Sequence, residues 1–234
     1  MPNELIEFNS NGGTTGGYLA IPEAGQKGAG VIVIQEWWGL VPHIKRVADR
    51  FAAEGFVALA PDLYHGRTTT SPDEAGKLMM ALNIEEAEKD LRGAISYLLA
   101  HESVAGDTVG TVGFCMGGAL SLYAASKNEE VGACVVFYGA HPKVKPDLEN
   151  LRAPLLGLYA ERDTFATPAG ARELEAKLKS LGKSAEIHVY DNADHAFFND
   201  ERPEVYNPDA AADAWQRTVR FLREHLNAPS AETK

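Results

Sequence analysis

The sequence predicts an α/β protein in which a mostly parallel central sheet is covered by helices on both faces. Three observations carry this expectation. Short aliphatic runs alternate with stretches whose apolar residues recur at helical spacing, and each parallel strand pairing needs a crossover long enough to hold a helix. The length, 234 residues, suits one domain of this class, taken as residues 1–234. No internal repeat or low-complexity tract breaks the alternation.

Taken in order, residues 30–35 form the first aliphatic strand and residues 43–54 a helix. A strand over 56–60 follows and is ended by Pro61, which donates no ladder hydrogen bond. Residues 64–72 read as a loop. Over 85–100, Ala87, Leu91, Ala94, Ile95, Leu98 and Leu99 share one helical face, the mark of a covering helix. Strands are expected over 108–114, 131–138, 155–159 and 185–190, and helices over 116–126, 168–181 and 208–226. The last helix carries Trp215, Val219, Leu222 and Leu226 inward, and the tail from Asn227 is expected to fray. Between the strands at 131 and 155 there is no insertion long enough for a lid domain, so an open site is expected.

Composition narrows the class of function. Hydrophobic residues at 45% and charged residues at 24% describe an ordinary globular protein. With 22 Lys and Arg against 33 Asp and Glu, the net charge of −11 argues against nucleic acid or an anionic membrane surface as the principal partner. No apolar run reaches the roughly 20 residues that cross a bilayer, and the start lacks the pattern of a signal peptide, so a cytoplasmic protein is expected. It is read as a monomer or weak homo-oligomer. The two cysteines fit no metal-ligand spacing or disulfide framework, and Cys134, within an apolar strand, reads as core packing.

The chemistry is concentrated in a few segments. The strand over 108–114 runs into Gly113-Phe114-Cys115-Met116-Gly117-Gly118 and then a helix, the pattern of a nucleophile elbow with cysteine in the place of serine. Gly113 and Gly117 flank the reactive residue because a sharp strand-to-helix turn leaves no room for side chains there. A thiol at a helix N-terminus is favoured as thiolate by the macrodipole and the free N–H groups. Asp163 follows the strand over 155–159 and His195 follows the strand over 185–190, both beyond carboxyl ends and in the chain order nucleophile, acid, histidine. In this arrangement His195 takes the proton from Cys115, and Asp163 fixes the imidazole tautomer. Asp194, beside His195, ranks lower as the orienting acid because neighbours along a loop usually point apart. The first aliphatic strand ends in Gln35-Glu36-Trp37-Trp38-Gly39, where an oxyanion-hole loop belongs, and the backbone N–H groups of Trp37 and Met116 are the expected donors.

With Gln35-Glu36-Trp37-Trp38-Gly39, Pro61-Asp62-Leu63-Tyr64, the cysteine elbow and the Asp163 and His195 segments in this order, the sequence resembles the dienelactone hydrolase family over nearly its whole length. The resemblance implies the α/β-hydrolase fold without a lid, no cofactor and no metal, and a triad of Cys115, Asp163 and His195. It also implies that Glu36 interacts with the resting thiol and helps generate the thiolate when substrate binds. The substrate implied is a small ester or lactone, opened through an acyl-enzyme.

The chain departs from the family in recognition of a substrate carboxylate. The arginine expected four residues after the histidine is Asn199 here, and none stands in the segment 71–77, where Lys77 is the nearest cation and Arg67 lies just before it. Trp38, Tyr64, Tyr138, Phe165 and Phe197, with Asn199, are the expected substrate-binding residues of an apolar pocket. Such a pocket suits neutral aryl esters or lactones. Two alternatives stand beside this reading: a promiscuous aryl esterase or phosphotriesterase on the same triad, and a non-catalytic ligand-binding protein or redox sensor in which Cys115 is an oxidisable thiol.

Overall fold

The structure, a computed structural model, describes residues 4–10, 12–23 and 26–226. Among these, eight strands form one sheet in the order β1-β2-β4-β3-β5-β6-β7-β8, numbered along the chain. The strands β3 (Gly28–Ile34), β4 (Val57–Pro61), β5 (Val104–Phe114), β6 (Val131–Phe137), β7 (Leu155–Ala160) and β8 (Ala185–Tyr190) are parallel. Helices α1 (Pro42–Ala53), α2 (Pro72–Ala81), α3 (Ile84–Ala100), α4 (Met116–Lys127), α5 (Pro168–Ser180) and α6 (Pro208–His225) lie between and after them.

Local chemistry sets the helix starts. Proline occupies the first turn of α1, α2, α5 and α6, where its missing N–H costs nothing. Asn83, Thr167 and Asn207 each cap the helix that follows by accepting a first-turn N–H at 3.1 Å. On α3 the expected face is buried at Ala87, Leu91, Ala94, Ile95 and Leu98, and every residue of β3 is buried, as a central parallel strand requires.

Two features, a hairpin and a helix, lie outside the sequence expectation. β1 (Glu4–Ser10) and β2 (Gly13–Ala20) form an antiparallel hairpin, and β2 then pairs antiparallel with β4, placing Pro61 opposite Gly17. The first five residues of β2 are all Gly or Thr, so apolar alternation is too weak there to announce a strand. The hairpin is tied down by a buried polar cluster instead: Asp90 of α3 accepts from Ser10 Oγ at 2.6 Å and from Thr15 Oγ1 at 2.9 Å. The second is α2, which occupies the segment read for a loop cation, so Lys77 stands on a helix. Only Ala75, Leu78 and Met79 of α2 are buried, too few to produce a clear period. The expected tail, residues 227–234, lies outside the described residues.

The strand order positions the site. The chain passes from β3 through α1 to β4 on one side of β3, and β5 then takes the other side. The connections leaving β3 and β5 therefore diverge, opening a crevice at their adjoining carboxyl ends. Among the described residues no helix is long and apolar enough to cross a membrane.

Candidate active site

Cys115 stands between β5 and α4 with φ 54° and ψ −119°, a left-handed conformation that an L residue holds only where its surroundings enforce it. They do so by crowding. A Cβ at position 113 would lie 1.9 Å from the Gly117 carbonyl oxygen, and one at 117 would lie 2.4 Å from both the Ile34 and Gln35 oxygens. The backbone is held as well, since Cys115 N–H donates to the Phe137 oxygen at 3.0 Å. Only glycine lets the elbow pass this close to the end of β3.

The loops after β7 and β8 are joined to each other, which registers Asp163 against His195. Arg162 N–H donates to the Ala193 oxygen at 3.0 Å, and Asn192 N–H donates to Glu161 Oε2 at 2.8 Å. Asp163 Oδ1 accepts from the N–H groups of Phe165 and Ala166 at 2.8 and 2.9 Å, leaving Oδ2 to accept from His195 Nδ1 at 2.6 Å. With Nδ1–H donating to a carboxylate, Nε2 is the nitrogen left for the reacting groups. Asp194 points elsewhere, 3.9 Å from Arg162.

Electrostatics follow from this geometry. Burial works against the charged forms of both Asp163 and His195, but mutual pairing outweighs it. The His195 hydrogen bond and charge and the two backbone N–H groups hold Asp163 below the usual carboxylate range. For His195, the Asp163 hydrogen bond and interaction with Cys115 overcome burial and push the imidazole up to about 10. Cys115 acts on the imidazole both through a side-chain hydrogen bond and through charge. Cys134 is separate: it is fully buried beside Ser121, and desolvation pushes its thiol up to about 11.

A cavity of about 260 Å³ opens over these groups. Cys115, His195, Asp163 and Glu36 reach it, together with Trp37, Trp38, Met79, Phe165 and Arg202. The N–H of Met116, at the first position of α4, has no intrahelical acceptor, and neither it nor that of Trp37 is bonded among the described residues. Phe165 stands half exposed with its ring centroid 5.9 Å from that of His195.

The aromatic expectation divides at this wall. Trp38 and Phe165 line the cavity, whereas Tyr138 and Phe197 are fully buried behind it and pack on each other at 5.4 Å. Tyr64 is also buried, with its hydroxyl on the Met116 sulfur at 3.3 Å. Asn199 is 2% exposed, and its amide donates to Glu36 Oε2 at 2.7 Å, which makes it a partner of Glu36. Lys77 and Arg67 are not on the cavity wall. Arg202 and Met79 are, and both escaped sequence reasoning: Arg202 lies seven residues after His195, and Met79 belongs to the unforeseen α2.

Among the described residues no group of three or more His, Cys, Asp or Glu is gathered as a metal site. The dienelactone hydrolase family model matches residues 15–226. A relative described as Protein usf, from Aquifex pyrophilus, is 40% identical over 230 residues, covering 95% of this chain and 99% of its own. A putative carboxymethylenebutenolidase from Aquifex aeolicus is 34% identical over the same 95% and 99%. Among solved structures, a putative dienelactone hydrolase from Klebsiella pneumoniae superposes with a TM-score of 0.86 at 28% identity, over 95% of this chain and 98% of that one. This chain therefore belongs to the dienelactone hydrolase family and has the α/β-hydrolase fold.

Proposed function

We propose that the protein is a cysteine-dependent hydrolase of small carboxylic esters or lactones, with Cys115 as nucleophile, His195 as base and acid, and Asp163 as the orienting carboxylate. The observation that carries this is the His195 Nδ1–Asp163 Oδ2 bond at 2.6 Å behind a strained cysteine that shares the same cavity wall. In the first half-reaction Sγ attacks the carbonyl carbon, forming a C–S bond while the negative charge gathers on the carbonyl oxygen opposite the Trp37 and Met116 N–H groups. The C–O bond then breaks, and His195 Nε2–H gives its proton to the departing alkoxide. A lactone opens, and its alcohol stays attached to the acyl group. In the second half-reaction His195 accepts a proton from water, hydroxide attacks the thioester, and the C–S bond breaks to return the thiolate.

Arg202 refines the substrate. Among the described residues it is the Lys or Arg that lines the cavity, and its partner Glu204 is mostly exposed, so the pair between them is weak and exchangeable. A substrate carboxylate can take the place of Glu204 on the guanidinium, a reading in keeping with the carboxymethylenebutenolidase relatives. Carboxylated lactones are then favoured over neutral aryl esters, and Arg202→Leu should raise KM for the former alone.

The direct test is Cys115→Ala. It should remove nearly all turnover of an activated aryl ester, and mass spectrometry of the intact protein after brief mixing with substrate should find the acyl group on Cys115. Retained turnover would refute the nucleophile. Oxidation products without any acyl adduct would favour a thiol sensor, and turnover confined to phosphotriesters would favour the phosphotriesterase alternative.

A further inference from the structure

A second cavity, of about 400 Å³, adjoins the one over Cys115. Trp38 and Arg202 line both, and the Arg202 guanidinium carbon stands 5.8 Å from the Trp38 ring centroid. The backbones of this partition are anchored. Arg202 N–H donates to the Asn199 oxygen at 3.1 Å, the Arg202 oxygen accepts from the Val205 and Tyr206 N–H groups at 3.0 and 2.9 Å, and the Trp38 oxygen accepts from Thr69 N–H at 3.1 Å. The Arg202 side chain is held less firmly, by the indole ring and by Glu204, whose own side chain is 59% exposed. Beyond the partition, Val41, Pro42 and Pro72 give the second cavity an apolar lining beside Thr69 and Thr70. Two carboxylates stand at it: Glu201, 2.8 Å from Arg46, and Glu204, 2.8 Å from Arg202.

We infer that this second cavity is the subsite for the acyl chain of a longer, uncharged ester, which enters it when the Arg202 guanidinium swings off the Trp38 ring. Strand order sets the direction. His195 and Asp163 follow β8 and β7, on one side of the elbow that ends β5, whereas Trp38 follows β3, on the other side. The departing alcohol must face His195 to take its proton, so the acyl substituent points toward Trp38. Size sets the need. Ligand pockets usually enclose about 300–1,000 Å³, so the 260 Å³ over Cys115 suits a small ester, and a longer chain has to continue past the partition. Charge sets the class: Glu201 and Glu204 oppose an anionic tail, while the apolar lining favours a hydrocarbon one. The inference goes beyond the proposed function and rests on its reading of ester attack by Cys115.

The test compares p-nitrophenyl acetate with p-nitrophenyl octanoate on the full-length protein, so that only the acyl chain changes. Val41→Trp and Thr70→Trp each fill the second cavity from a residue that does not line the first. Thr70 is exposed, so its variant reads the effect even if a change at Val41, the residue that starts α1, disturbs folding. In both variants KM for the octanoate should rise, and the ratio of kcat/KM for octanoate to that for acetate should fall about tenfold, the equivalent of roughly two methylenes losing their burial. Arg202→Ala opens the partition and should raise the same ratio by about threefold. A wild-type ratio in both tryptophan variants would overturn the inference, as would a wild-type protein that hydrolyses the acetate and leaves the octanoate untouched. Loss of both esters in equal proportion would overturn it too, since that is the behaviour of a merely disturbed loop. Failure of the nucleophile reading is separately visible as acetate turnover that survives Cys115→Ala.

Discussion

Gly117→Ala probes the joint between the elbow and the end of β3. A Cβ at residue 117 would stand 2.4 Å from the carbonyl oxygens of both Ile34 and Gln35. The closest comfortable carbon–oxygen approach is about 3.3 Å, so the first turn of α4 and the end of β3 must part by roughly 1 Å. Overpacking of this kind costs about 1–3 kcal/mol, which for a chain of this size lowers Tm by roughly 2–12 °C. The same displacement separates the Trp37 N–H, just past β3, from the Met116 N–H at the start of α4. Because a misplacement of about 1 Å in a catalytic group can cost on the order of 10²-fold, kcat should fall by about that factor while KM changes far less. Thermal unfolding and initial rates with an activated aryl ester read the two effects. Gly16→Ala is the control, because its new Cβ would meet its nearest neighbour, the Ile6 oxygen, at an ordinary 4.0 Å. A Gly117→Ala protein with wild-type Tm and kcat would show that the elbow is not held against β3 as described.

Asp163→Asn keeps an oxygen for the Phe165 and Ala166 N–H groups, so the fold should survive, but an amide can hold the wrong imidazole tautomer. kcat should drop by about 10⁴, the order found when a triad acid becomes an amide, with circular dichroism unchanged. His195 gives a pH signature of definite sign. Its folded value, about 10, lies above the ordinary 6.5, so its contribution to stability is complete below pH 6.5 and is lost as pH rises through 10. Urea midpoints of the wild type should therefore fall more between pH 7 and 10 than those of His195→Gln, and parallel curves would count against the paired imidazolium. Asp90→Ala removes the buried acceptor that the Ser10 and Thr15 hydroxyls share beneath the edge hairpin. It should destabilise the fold by about 2–4 kcal/mol and leave kcat of the folded protein unaltered.

The legible parts of the fold were those with a strong period or a strict steric demand. Burial of β3 on both faces produced its continuous aliphatic run, and α3 displayed its inner face at regular spacing. The glycines at 113 and 117 marked the elbow because a side chain at either would press on neighbouring backbone. The β1–β2 hairpin and α2 escaped because the first is rich in Gly and Thr and held by a polar cluster, and the second buries only three residues. The pocket divided along the same line. Trp38 and Phe165 were foreseen on its wall, but aromatic character alone could not separate them from Tyr138 and Phe197, which pack into the core behind it.

By itself the sequence determined the alternating α/β architecture, the cysteine elbow, and the order in which the candidate triad residues occur, because each is written in neighbouring residues. The tertiary structure decided which atoms meet: Asp163 on His195, Asn199 on Glu36 across 163 positions, and Arg202 at the cavity wall. Those contacts depend on strand order and on how the loops leave the sheet, which bring distant segments within hydrogen-bond range. Nothing in the spacing of residues along a chain encodes a distance of that kind.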